Sequence, residues 1–324
     1  MKSRYLIAAM TVAMAMTAPL AAAAETFDIR MTGQSRNSLR GDRFVIPTYH
    51  VNFVTSQQAT SVVSIGARTR LAMVLQGVDQ ATMRRLADEA YADLRRQMEA
   101  AGLTVIGAEE ARAMTEAAGL ERMPNNIDVA GIGPGITVGS SIRRGWVTVG
   151  PEAAPAIRGV GSMGNSVMRI GAFGALGGFN RTPNSAGLVA FAPALTLDFV
   201  RMQAARGGMF GNTASTSGQV GFGVLMTPSI TAQKPVGRMN TGTPGQFGPR
   251  ADVFTQTPFA ELVQGGAAVR AGASFADDVD ENYQAVVRAR GDAVVVNLPV
   301  WEGLVRDAYR DYNAAIVAAI VAQQ

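Results

Sequence analysis

GVDQATMRRLADEAYADLRRQMEAAGLTVIG, residues 77–107, decides how this chain is read. Asp79 is placed to cap a helix, because its carboxylate can accept the free N–H groups of the first turn at the positive end of the helix dipole. Met83, Leu86, Ala87, Ala90, Leu94, Met98 and Ala101 then recur at steps of three and four, one apolar stripe along a helix over 79–101. Gly102 can take the left-handed conformation that ends it, and residues 103–106 (LTVI) read as a short buried strand. A helix that hands over directly to a strand needs a sheet to lie on.

Upstream, residues 44–55 (FVIPTYHVNFVT) are rich in β-branched and aromatic types and read as a strand interrupted at Pro47. Residues 62–65 offer a further strand, followed by a basic turn at Arg68 and Arg70. Downstream, 109–118 reads as a second, short helix closed by Gly119. Strand, helix, strand, helix makes 25–125 an α/β module.

Composition shifts after residues 124–126, and 126–300 is Gly-rich and poor in charge. Strands are expected at 145–149, 167–173, 187–202 and 219–231, with a loop at 206–217 and an irregular excursion over 233–256. The third strand alternates Val189, Phe191, Leu195, Leu197 and Phe199 against Ala190, Ala194, Thr196 and Asp198. The fourth opposes Val220, Phe222, Val224 and Met226 to Gln219, Gly221 and Gly223. Together they predict an extended hairpin over 187–231. That pattern suits a half-buried soluble sheet and equally a membrane β-hairpin. Residues 283–288 and 293–296 are expected to pair around Gly291 and Asp292. Pro299 ends that run, and 301–324 reads as a core-docking C-terminal helix with Leu304, Ala308, Tyr312, Ala315, Ile316, Ala319 and Ile320 on its apolar side.

Residues 1–24 have the form of a cleaved signal peptide. Lys2 and Arg4 precede an apolar stretch from Leu6 to Met16, and Ala22 and Ala24 supply the small-residue cleavage pattern before Glu25. The whole chain carries a formal charge of +4, and loss of the leader leaves 27 basic against 25 acidic residues. That balance gives no field for steering nucleic acid, so no nucleic-acid partner is expected. With no cysteine there is no disulfide, thiolate chemistry or lipidation site. No later stretch is long and apolar enough for a transmembrane helix, which leaves the β-hairpin as the one route to membrane association.

Chemistry-bearing motifs are sparse. His50 is the one histidine, no G-x-S-x-G elbow accompanies it, and it reads as a structural strand residue. One His and no Cys leave nothing for zinc. Asp278, Asp280 and Asn282 match the first ligand positions of a calcium loop, but Tyr283 replaces its glycine and Ala289 its bidentate Glu. Residues 159–164 (GVGSMG) match a dinucleotide-binding pattern without its strand, helix or acidic partner. Arg84, Arg85, Arg95 and Arg96 have Asp88, Glu89 and Glu99 at four-residue spacing, ordinary pairs on a solvated helix face. No catalytic residue, metal or cofactor is expected.

The order of elements (strand 44–55, helix 79–101 with Gly102, strand 103–106, then the pair 187–202 and 219–231) resembles the periplasmic α/β domain of the curli secretion-channel family and the N-terminal domain of the TolB family. The resemblance covers about half of the mature chain and carries no residue motif. The curli channel is a lipoprotein, whereas this chain has no cysteine to acylate. It implies an envelope protein that assembles with copies of itself or with partners.

The sequence therefore reads as an exported α+β protein of the periplasm or outer membrane, non-enzymatic and acting by assembly or binding. Its α/β unit packs with a Gly-rich, mainly antiparallel region and a C-terminal helix. Val189, Phe191, Leu195, Leu197, Val220, Phe222 and Val224 are the expected assembly surface. A soluble periplasmic ligand-binding module is the first alternative, and a hydrolase using Asp277, Asp278 and Asp280 the second.

Overall fold

The computed structural model describes residues 27–32, 39–41, 43–62, 68–123, 127–131, 141–157, 188–206, 214–227, 229–233, 245–264 and 292–324. The expected leader, the strand at 167–173, the 159–164 motif, residues 283–288 and the acidic run 277–282 lie outside them.

Helix α1, Gln80–Ala100, forms where the stripe places it. The Asp79 carboxylate accepts the Thr82 N–H at 2.7 Å, and this bond holds the acid below its ordinary range. Gly102 sits at φ 79°, a conformation that would strain any residue with a Cβ. Met83, Leu86, Ala87, Ala90, Leu94 and Met98 are buried as expected, joined by Tyr91 and Asp93, while Ala101 is exposed. Helix α2, Ala108–Ala117, follows the short strand β5, Thr104–Val105.

Helix α3 is Leu298–Val321 and begins before residue 301, because Pro299 lies in its first turn, where a missing N–H breaks no helical bond. Trp301, Val305, Tyr309, Tyr312, Ile316 and Ile320 are buried. Asn313 joins α3 to α1: it accepts from the Tyr49 hydroxyl and donates to the Ala90 carbonyl and the Asp93 carboxylate, each at 3.0 Å.

Strands β1 (Ile29–Thr32), β2 (Arg43–Val45), β3 (His50–Val62) and β4 (Arg68–Gln76) precede α1. After α2 come β6 (Ile127–Gly131), β7 (Ser141–Val149), β8 (Leu188–Ala192), β9 (Ala194–Arg206), β10 (Ala214–Leu225) and β11 (Ser229–Gln233). Strands β12 (Gly245–Pro249), β13 (Val253–Phe254), β14 (Ala260–Val263) and β15 (Asp292–Val296) complete the set. One sheet has the order β1-β12-β11-β8-β2-β5. A larger, curled one runs β13-β10-β9-β3-β4-β15-β14, with β7 also on β3 and β6 on β7. The fold class is α+β.

Pro47 breaks β2 from β3 as expected, and Pro193 breaks β8 from β9 in the same way. The stretch 187–202 is thus two strands in two sheets. β2 and β8 run parallel in the first sheet, and β3 and β9 run parallel in the second. Proline offers no N–H to a ladder, so each crossing falls where the chain changes sheets. Arg68 and Arg70 belong to β4 and not to a turn, and the stretch 233–256 contains β12 and β13. β15 pairs with β4 and β14. Because 25–125 and 126–300 contribute strands to both sheets, the shift at residue 125 is one of composition and not of sheet membership.

The main core joins α1 and α3 to both sheets; Phe53, for example, meets Trp301 with ring centroids 5.8 Å apart. A smaller core of Val45, Ile106, Ala111, Leu120, Ile157, Leu188, Ala190 and Ala192 joins α2 to the first sheet.

Candidate functional site

Strand β3 divides the larger sheet. Along one edge β7 pairs with it from Val51 to Thr60. Along the other, β9 pairs with residues 50–53 and β4 with residues 56–62. Past the last parallel pair, Phe53 with Leu197, β9 leaves the ladder and continues with β10 alone. Bulges on β3, between Val54 and Ser56, and on β10, between Val220 and Gly223, sit at this fork and bend the strands.

Residues directly opposed in register share a face, which puts Thr148, Trp146 and Arg144 of β7 beside Asn52, Val54 and Gln57 of β3. Thr196 faces Asn52, and Asp198 follows it two residues on. A buried polar seam results. The Thr148 hydroxyl donates to Asn52 Oδ1 at 2.5 Å, Asn52 Nδ2 donates to Thr196 Oγ1 at 3.0 Å, and the Thr227 hydroxyl donates to Thr196 at 2.6 Å. At the fork, Gln57 Nε2 lies 2.5 Å from both Asp198 oxygens and 3.0 Å from the Val200 carbonyl. Asp198 also accepts the Phe199 N–H at 2.8 Å.

Arg144 Nε is 3.5 Å from Asp198 Oδ2, an ion contact without hydrogen-bond geometry. Burial pushes the Asp198 carboxyl up to about 6, against the pull of Arg144 and of the donors around it. Gln57 Oε1 and Trp146 Nε1 are buried with no hydrogen-bond partner among the described residues.

Beyond the fork, residues 200–206 and 214–220 form a two-stranded ribbon whose outer edges pair with no other strand among the described residues. Arg201, Gln203, Ala205, Ser215, Ser217 and Gln219 are exposed, while Val200 and Met202 are buried. Side chains tie the ribbon down: Gln57 holds the Val200 carbonyl, and Ser61 Oγ donates to the Ala205 carbonyl at 2.8 Å. Gly218 lies so close to Met73 and Leu71 that an added Cβ would meet Met73 Cε at 2.9 Å.

The expected assembly surface is core in this structure. Val189 and Phe191 lie in the smaller sheet, where Phe191 packs between Phe44 and Phe247. Leu195 and Leu197 are buried beside β3, and Phe222 and Val224 are buried too, with Phe222 edge-on to Phe259. Val220 is half-buried and, across the bulge, stands on the opposite face from Phe222. Alternation alone carried no sign of that flip, nor of the change of sheet at Pro193. The seam residues Gln57, Arg144 and Trp146 were equally hidden; Asp198 stood out only as the acid on the small-residue face of its strand.

His50 is buried in β3, where its Nε2 accepts the Ile157 N–H at 3.2 Å. On α1, Arg85 pairs with Glu89 and Glu302, Arg95 with Glu99, and Arg96 with Asp93. Arg306 closes the first group by pairing with Glu89 and Glu302. An open groove of about 610 Å³ lies between α1, α2 and residues 152–153, lined by Asp88, Arg95, Arg96 and Glu99 of α1, Arg112 of α2 and Glu152. No described helix is long and apolar enough to cross a membrane, and no cluster of metal-binding side chains occurs among the described residues.

The chain matches no model of a known protein family, no curated protein and no solved structure.

Proposed function

We propose that this protein is an exported component of the cell envelope that acts by assembly, without catalysis, and that the β9–β10 ribbon is its contact element. The observation that carries this reading is the ribbon itself. Over 214–220, β10 pairs with no second strand among the described residues and so offers an edge to an added strand, while β9 is held to β3 through Gln57 and Ser61 on its carbonyls. The leader-like residues 1–24 and the resemblance in element order support the envelope setting. The contact is made by backbone edges and the polar outer row, in place of the apolar side chains, which the chain's own core covers. A lipid-facing band needs outward apolar residues, and the outward row here is Arg201, Gln203, Ser215, Ser217 and Gln219.

The test is sedimentation of the chain from residue 25 over a range of concentrations, beside a Ser215→Lys/Ser217→Lys variant. Both serines face outward, so the fold tolerates the change, while charge on a strand edge blocks pairing. Association that weakens in the variant supports the reading. A chain that stays monomeric throughout, or associates equally well with both lysines, overturns it.

The groove between α1 and α2 favours a second reading, a ligand-binding module for a compound that carries both charges. It predicts a rise in Tm with short peptides that is lost in Arg112→Glu.

A further inference from the structure

We infer that the strand added to β10 is the same edge of a second copy, laid antiparallel with the two Ser217 residues opposed, so that assembly closes as a two-fold dimer. The inference rests on the assembly reading above and names its partner and register.

The edge is set apart by what it lacks. Residues 214–220 (ASTSGQV) hold no charged side chain and no proline, and their register with β9 is unbroken from Ala214 to Val220. The other strands with an open edge among the described residues are blunted. β1 carries Arg30, the start of β4 Arg70, β6 Asp128, β7 Arg143 beyond its last pair with β6, β9 Arg201 and β14 Glu261. β5 and β13 are two residues long. Charge and shortness keep a strand edge from pairing. Of the described edges that a second copy offers, the unprotected one is β10 again.

The length of the edge sets the register. Toward the body it ends at the bulge after Val220, where the Thr255 N–H donates to the Phe222 carbonyl at 2.8 Å and β13 pairs with Gly223 and Val224. Opposed residues share a face, so two copies of one antiparallel edge meet only in registers centred on a residue. Centring on Ser217 uses the whole of 214–220, whereas centring on Thr216 or Gly218 leaves one end of each copy unpaired.

In the centred register the rows match. Ser215 of one copy meets Gln219 of the other and Ser217 meets Ser217, all in the exposed row. Ala214 meets Val220 and Thr216 meets Gly218, all in the half-buried row. Arg201 stands opposite Gln219 within each chain, so the two arginines fall at opposite ends of the joined sheet and no like charges are opposed. Because both copies use the same edge, none is left to add a third.

The experiment is disulfide trapping in the chain, which has no cysteine of its own. Ser215→Cys, Ser217→Cys and Gln219→Cys each place one thiol in the exposed row, where the fold tolerates it. Each variant is oxidised alone, Ser215→Cys is also oxidised in equal mixture with Gln219→Cys, and dimers are identified by mass. Opposed residues have Cα atoms about 4.5–5.5 Å apart, which a disulfide spans. Residues four apart along a strand are separated by about 13 Å, which it does not. The expected result is a covalent dimer from Ser217→Cys alone and a 215–219 dimer from the mixture, lost when either of those two variants is oxidised by itself. Sedimentation of the wild type should level off at the dimer mass. Trapping of Ser215→Cys or Gln219→Cys alone as readily as their mixture, or growth past the dimer, overturns the inference. A wild type that sediments as a monomer at every concentration removes the assembly reading itself. One that associates without the 215–219 species removes only the two-fold pairing.

Discussion

Asp198 and Gln57 show how single residues set the behaviour of the larger sheet. A carboxyl titrating near 6 in the fold and near 3.8 in water destabilises the folded state as pH rises through that interval. Replacing Asp198 with Asn should therefore leave stability little changed near pH 4. Near pH 7 the variant should exceed the wild type by about 3 kcal/mol, two pKa units at 1.36 kcal/mol each. Urea melts at the two pH values check this, and a gap that fails to widen with pH contradicts it. Gly223 is constrained by proximity, since an added Cβ would stand 2.5 Å from the Phe254 ring that packs over it. Gly223→Ala should cost about 1–3 kcal/mol through overpacking, read as a lowered urea midpoint. Gly221, with the Phe254 ring 3.8 Å away, should accept the same change at a smaller loss.

Elements were legible in the sequence to the degree that their signals are local. The α1 stripe, the Asp79 cap and Gly102 fixed that helix because cap, spacing and stop all lie within one stretch. Loss of the Asp79 cap in Asp79→Ala should lower stability by about 1 kcal/mol, measurable as a drop in α1 exchange protection. The start of α3 was misplaced because a proline stops a helix in its interior but opens one in its first turn. Trp301, one turn in, is buried against Phe53, and Trp301→Ala should cost about 3–5 kcal/mol by leaving a cavity between α3 and β3. The expected hairpin over 187–231 holds in part: β9 pairs with β10, but its outer ends, β8 and β11, pair in the other sheet, and residues 214–217, expected in the loop, belong to β10. Its apolar rows were misassigned to a surface because period-two alternation reports that one face is buried and not what covers it. The two bulges and the sheet change at Pro193 depend on partners distant in the chain, and the seam of Gln57, Arg144 and Asp198 exists only once β3, β7 and β9 lie side by side.

On the scale of the whole molecule, two sheets share one core with α1 and α3, and strands from both halves of the chain are interleaved. That interleaving leaves the ribbon as the part of the larger sheet held mainly by side chains, with the 214–220 edge unpaired by a second strand among the described residues and a polar outer row. An assembly built on such an edge should resist added salt, because backbone pairing is screened far less than contacts between exposed charges. The absence of cysteine makes the contact directly addressable. A single Ser217→Cys places one thiol on the outward row of the ribbon, and Arg310→Cys places one on the exposed side of α3 as a control. Mild oxidation of each, over a range of chain concentrations, is the most direct measurement. Ribbon-mediated assembly predicts covalent dimers from Ser217→Cys and few from Arg310→Cys. Equal crosslinking of the two, or none from Ser217→Cys, would place the contact elsewhere and contradict the account.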